Sequence, residues 1–153
     1  MNHQELAYLA DRYRTTLRLA VYVSRRLDGV TGLSTTALSI LNMVAREGLR
    51  VGVIAENLGV RVPSATEQVG RLERAGLVAR GGDPADARAV VVRRTPAGDA
   101  AAADANRRRN ARMVDAFGAL APEELEALRA ALPAMDKINE RLHAATNHKE
   151  HIA

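Results

Sequence analysis

The stretch from Val51 to Thr95 holds two short helical patterns, each ended by a glycine, and then two β-rich runs around a polar turn. Val53-Ile54-Ala55-Glu56-Asn57-Leu58 is stopped by Gly59, and a second pattern from about Pro63 to Ala75 is stopped by Gly76. Glycine ends helices because it enters the left-handed region without a Cβ penalty. Leu77-Val78-Ala79-Arg80 and Arg88-Ala89-Val90-Val91-Val92-Arg93-Arg94 follow, separated by Gly81-Gly82-Asp83-Pro84-Ala85-Asp86. That separation reads as too long for a two-residue turn, and Gly81-Gly82 with Pro84 fit a flexible tip. Two short helices joined by a tight turn, with a hairpin after them, predict a winged helix-turn-helix. Such a unit sets its second helix in the major groove of duplex DNA with the hairpin tip beside it.

The second helix divides into two faces. Ala65, Val69 and Leu72 fall at i, i+4 and i+7, one apolar stripe at helical spacing. Ser64, Gln68 and Arg71 repeat that spacing one position earlier, and Glu67 and Arg74 extend the polar side. Glutamine bonds adenine edges in a bidentate way and arginine does so with guanine N7 and O6. The competing explanation is an ordinary amphipathic surface helix, and the hairpin directly behind it favours the DNA reading. Ser64 has two possible roles. Ser64-Ala65-Thr66-Glu67 matches a capping box. Alternatively Pro63 is the first helical residue, which leaves the Ser64 hydroxyl for a phosphate.

The chain has 153 residues, enough for one domain or a compact two-part subunit, and is 47% hydrophobic, as a globular chain is. Aromatic residues are 3% and tryptophan is absent, which argues against base stacking on single strands. The net charge of +4 favours a polyanionic partner, and it is nearly all arginine, with lysine at Lys137 and Lys149 alone. Without cysteine there are no disulfides, thiolate metal sites or thiol redox chemistry. No apolar run approaches the roughly 20 residues that span a bilayer, and Met1-Asn2-His3-Gln4-Glu5 lacks the layout of a signal peptide. The expectation is a soluble, cytoplasmic protein. No nucleophile–base pair, phosphate-cradling glycine loop or metal cluster points to an enzyme, and no cofactor or metal is implied.

Around the central stretch the patterns are helical. Leu6, Leu9, Tyr13, Leu17, Ala20 and Leu27 predict a first helix over about 4–27, roughly 36 Å long, broken by Asp28-Gly29-Val30-Thr31-Gly32. Ser34 or Thr35 starts a supporting helix with Leu38, Leu41 and Val44 or Ala45 as its stripe, ending before Gly48. Leu49-Arg50-Val51 reads as an edge strand for the hairpin, and Gly52 stands where a hydroxyl residue would cap the next helix better. Asp86 and Arg88 are two apart, so on an extended tip they share a side, where the Asp can orient the Arg toward a minor groove. A plain surface ion pair is the alternative.

Thr95-Pro96-Ala97-Gly98-Asp99 is a helix start, with alanine-rich sequence to about Leu120 and apolar positions at Met113, Val114 and Phe117. Arg107-Arg108-Arg109 spreads around that helix as a solvated run or, less simply, a second phosphate contact. Pro122 opens the last helix, with Glu123 and Glu124 in its first turn. Leu125, Leu128, Leu132, Met135, Ile138 and Leu142 follow a spacing close to a coiled-coil seam, and Pro133 should kink the helix or remove a bond. The long helices cannot all bury their stripes on the winged unit. A symmetric dimer formed by both ends is the economical solution, against an intramolecular three-helix layer. His148 and His151 in the polar tail read as a frayed end rather than a metal pair.

These motifs resemble the multiple antibiotic resistance regulator (MarR) family of bacterial transcription factors over nearly the whole chain. The resemblance rests on residues 53–60 and 69–78, on Asp83-Pro84-Ala85-Asp86-Ala87-Arg88-Ala89-Val90, on Thr95-Pro96-Ala97-Gly98 and on Pro122-Glu123-Glu124-Leu125. It implies a mainly α fold with a small β-wing. An N-terminal dimerisation helix (1–32), a winged DNA-binding domain (33–95) and C-terminal dimerisation helices (96–153) would make a homodimer on a pseudo-palindromic operator. Ser64, Thr66, Gln68 and Arg71 match the reading helix, Arg88 the wing arginine of the minor groove and Asp86 its partner; Glu67 and Arg74 join them as candidate DNA-binding residues. Many members repress until a small aromatic or phenolic acid enters a cleft, for which Tyr13 and Arg14 are candidates. Alternatives are a ligand-independent DNA-binding regulator and a winged protein-interaction module. Three positions depart from the family pattern. Arg61 stands where a hydroxyl cap is common, Ala87 replaces a frequent wing arginine, and Arg94 occupies a usual leucine position.

Overall fold

The structure, a computed structural model, describes residues 1–26, 32–45, 47–83 and 86–150, leaving out the side chains of residues 87, 88 and 145–150. The chain divides into two compact units, Met1–Asn110 and Ala111–Ala153.

The first unit opens with α1, His3–Arg26. Asn2 and Glu5 close its N-terminus reciprocally. The Glu5 N–H donates to Asn2 Oδ1 at 2.9 Å and the Asn2 N–H to Glu5 Oε2 at 2.8 Å. None of its residues is buried, and Leu6, Leu9 and Leu19 are exposed. The expected end at Leu27 and the break at residues 28–31 lie outside the described residues.

Helix α2, Thr35–Met43, settles the choice of cap: Ser34 is the N-cap, its hydroxyl accepting the Ala37 N–H at 3.1 Å. It stops well short of Gly48, and Leu38, Ile40, Leu41 and the C-cap Val44 are buried. Helix α3, Val51–Leu58, ends with Gly59 at φ 64°, a left-handed cap that favours glycine. It begins two residues earlier than the apolar pattern, so Gly52 lies inside its first turn and Arg50 is the N-cap, without a side-chain cap bond. The edge strand expected at Leu49-Arg50-Val51 is therefore not formed. Val51 is already helical, and Leu49 alone bridges Val92, through backbone hydrogen bonds of 3.0 and 2.8 Å. Helix α4 is Val62–Arg74.

Strands β1 (Val78–Asp83) and β2 (Asp86–Arg94) pair antiparallel from Val78↔Arg94 to Asp83↔Asp86, with a register shift between Gly82 and Asp83. Gly81 and Gly82 belong to β1, opposite Val91 and Val90, and only residues 84–85 separate the strands. This corrects the expectation of a long turn. Glycine marks turns, but it also marks irregularities within a paired strand, and the register shift falls beside Gly82. Pro84 and Ala85 themselves lie outside the described residues. Val78, Val91 and Val92 are buried and Val90 is exposed, so the hairpin root packs while one apolar position stays in solvent.

Helix α5, Pro96–Phe117, starts as its sequence predicts. The Thr95 hydroxyl accepts the Gly98 N–H at 3.0 Å and donates to the Gly76 carbonyl at 2.7 Å, tying α5 to the end of α4. A Cβ at Gly98 would run into the Leu77 carbonyl, so only glycine allows this approach. Ala102 and Ala105 complete a core shared with α2, α3, α4 and the hairpin root. Arg94 forms an ion pair with Asp99 at 2.8 Å.

In the second unit α6 runs Pro122–Glu150 and continues through Pro133. The Ala121 N–H donates to Glu124 Oε2 at 2.9 Å, which closes its start. Leu125, Leu132, Ile138 and Leu142 are exposed. His148 lies in this helix with its side chain outside the description, and His151 lies outside the described residues.

Candidate nucleic-acid interface

Helix α4 presents the two faces that its periodicity requires. Ala65 and Val69 are fully buried and Leu72 is nearly so. At about 25 cal/mol per Å² of apolar surface, such a stripe supplies most of the reason that a 13-residue helix holds here. Opposite it, Ser64, Thr66, Glu67, Arg71 and Arg74 are exposed and Gln68 is half-buried.

Local bonds refine these assignments. The N-cap is Arg61, with no side-chain cap bond, and Pro63 lies in the first turn. Ser64 is thus inside the helix rather than capping it, and the capping-box alternative is set aside. Its hydroxyl makes no hydrogen bond among the described residues. The Thr66 hydroxyl donates to the Val62 carbonyl at 2.8 Å, so its proton is committed within the helix while its oxygen can still accept. Arg71 Nη2 donates to Glu67 Oε1 at 2.6 Å, one turn back on the exposed face. An arginine paired in this way is held in line with the helix, and it must exchange Glu67 for a base edge if it reads guanine.

The wing is braced by arginines. Arg80 Nε donates to Glu73 Oε2 at 3.2 Å and ties β1 back to α4. Arg93 Nη1 donates to the Gly82 carbonyl at 3.1 Å, across the ribbon. Arg50 Nη2 donates to Oδ2 of Asp83 and of Asp86, each at 3.1 Å. Asp86, expected to orient Arg88, is thus engaged by Arg50. The Arg88 backbone lies in β2 and its side chain is outside the description. These four hydrogen bonds join residues up to 36 positions apart, and none is visible in local sequence. The signal that could have found Arg50 is an N-cap position without a capping side chain near two turn aspartates.

Elsewhere, Arg107 and Arg108 both pair with Asp104, at 3.1 and 2.9 Å, as befits a solvated run. Tyr13 is half-buried on α1, and Arg14 is ion-paired with Asp11 at 2.6 Å. Among the described residues no group of three His, Cys, Asp or Glu is placed to hold a metal ion, and no helix is long and apolar enough to cross a membrane.

Two helices in tandem, the second with a polar outer face, and a two-stranded ribbon beside them define a winged helix-turn-helix protein. Residues 31–89 match the model of the MarR family. No curated protein matches the chain. Among solved structures, the transcriptional regulator BldR from Sulfolobus solfataricus is 27% identical. The match covers 92% of this chain and 99% of that one, with a TM-score of 0.72. A MarR family protein from Bacillus stearothermophilus is 21% identical, over 92% and 99% of the two chains, with a TM-score of 0.72. CouR from Rhodococcus jostii RHA1, solved bound to p-coumaroyl-CoA, is 23% identical over 85% and 90%, with a TM-score of 0.62.

Proposed function

We propose that this protein is a cytoplasmic, dimeric, sequence-specific DNA-binding regulator of transcription, a repressor released by a small aromatic or phenolic ligand. The observation that carries the DNA reading is the orientation of α4. Its apolar stripe is spent on the core, and Ser64, Glu67, Arg71 and Arg74 remain on the outer face beside the wing. Ser64 and Thr66 would meet backbone phosphate, Gln68 and Arg71 base edges, and Arg88 the minor groove, with Asp86 at the wing tip. Exposed apolar side chains on α1 and on α6 support the dimer, because they gain burial only against another surface and a second copy supplies the same patches. A pair of winged units related by a twofold axis would then read a pseudo-palindromic operator.

The ligand half of the proposal draws on the CouR likeness, since p-coumaroyl-CoA is a phenolic acyl compound. Tyr13 and Arg14 offer an aromatic ring and a cation for such a molecule. A gel-shift screen with genomic DNA tests the function. Retarded fragments at low salt, with affinity falling steeply as salt rises, are expected, because several phosphate contacts release counterions. No retarded fragment at low salt would favour a winged protein-interaction module instead.

A further inference from the structure

Arg50 stands immediately before α3, where a hydroxyl side chain would serve as the cap, and its guanidinium goes to the wing instead. Its backbone is pinned from both sides. Leu49 is hydrogen-bonded to Val92 at the hairpin root, and Val51 begins the helix. From that fixed base the side chain meets Asp83 and Asp86 at 3.1 Å each. Those two carboxylates belong to Cα partners across the hairpin end. Like charges directly opposite on neighbouring strands repel. The negative charge of two carboxylates at a wing tip also opposes its approach to phosphate. A guanidinium can serve two carboxylates at once because its donors are fixed in a planar fork. The hydrogen bond that Arg50 donates to Asp83, with the charges of Asp83 and Asp86 behind it, holds the Arg50 proton more firmly than usual.

We propose that Arg50 is a positioning residue for the wing: it draws Asp83 and Asp86 together, offsets their charge and so fixes the tip for its approach to DNA. The last step rests on the DNA-binding reading; the clasp itself does not.

The test uses the full chain, with the variants Arg50→Ala, Asp83→Asn with Asp86→Asn, and all three together. Two measurements are made: amide hydrogen exchange, and affinity for a duplex fragment retained from genomic DNA at several salt concentrations. Arg50→Ala is expected to speed exchange at Gly82 and Val90 while α4 amides hold, and to weaken duplex binding about tenfold. The triple variant should recover to within about twofold of the double variant, because the repulsion is gone. Unchanged exchange in Arg50→Ala would overturn the clasp. A loss of affinity that the triple variant does not recover, with the salt slope reduced by about one, would make Arg50 a phosphate ligand and overturn the positioning role. If the unmodified protein retains no duplex at low salt, the DNA-binding reading fails by itself, and exchange still decides the clasp.

Discussion

Helix α4 is 13 residues long and buries Ala65, Val69 and Leu72; helix α1 is 24 residues long and buries none. Both carry apolar residues at helical spacing. The difference lies in where each stripe finds its partner. That of α4 is met by α2, α3 and the hairpin root within one chain. That of α1 leaves Leu6 and Leu9 about half exposed at 48% and 53%. A helix of that length owes little to propensity and most of its stability to tertiary packing. The comparison teaches that α4 completes its burial within the winged unit, whereas α1 keeps its apolar stripe exposed, which is what the proposed dimer would cover.

The largest expected effect breaks the winged-unit side. Leu72→Ala should lower stability by about 2–4 kcal/mol, read by thermal or denaturant unfolding. A change below about 1 kcal/mol would mean that the α4 stripe is not what holds the unit. Gly98→Ala sharpens the same side. In an open helix the added methyl would gain about 1 kcal/mol from propensity. Here it collides with the Leu77 backbone, so a net loss of about 1–3 kcal/mol is expected from overpacking. A gain in melting temperature would show that α5 does not approach so closely. Arg71→Ala should leave folding almost untouched, cost about 1–3 kcal/mol of duplex binding and relax base preference at one position. Equal weakening on all sequences would remove its base-reading role. Leu9→Ala has the smallest expected effect on the fold, under about 0.5 kcal/mol for the winged unit. In the proposed dimer it should nevertheless raise the dissociation constant about tenfold in sedimentation equilibrium, as loss of an interface contact does. An unchanged association would place the partner of α1 elsewhere.

What could be read in advance followed the range of the interaction. The stripe of α4, the Thr95 cap and the proline starts of α5 and α6 depend on residues a few positions apart, and the sequence displays them directly. The wing tip depends on register across two strands. Gly81 and Gly82 look the same in a turn and in a strand, and only pairing with Val91 and Val90 distinguishes them. Leu49-Arg50-Val51 had strand composition, but α3 claimed Val51, leaving one bridge. At the candidate site, the outward residues of α4 were legible because its buried face was. The Arg50 clasp was not, since its carboxylates lie 33 and 36 positions away. The Glu67–Arg71 pair sits at a legible i,i+4 spacing, so the sequence displays both the ion pair and the two side chains as candidates for DNA.

Footprinting on the selected duplex, combined with the mass of the complex, bears most directly on the claim that α4 reads DNA from a symmetric pair. Two protomers per duplex, protecting half-sites with centres roughly 34 Å apart, are expected. A single protomer on a single protected site, or protection that ignores sequence, would contradict it.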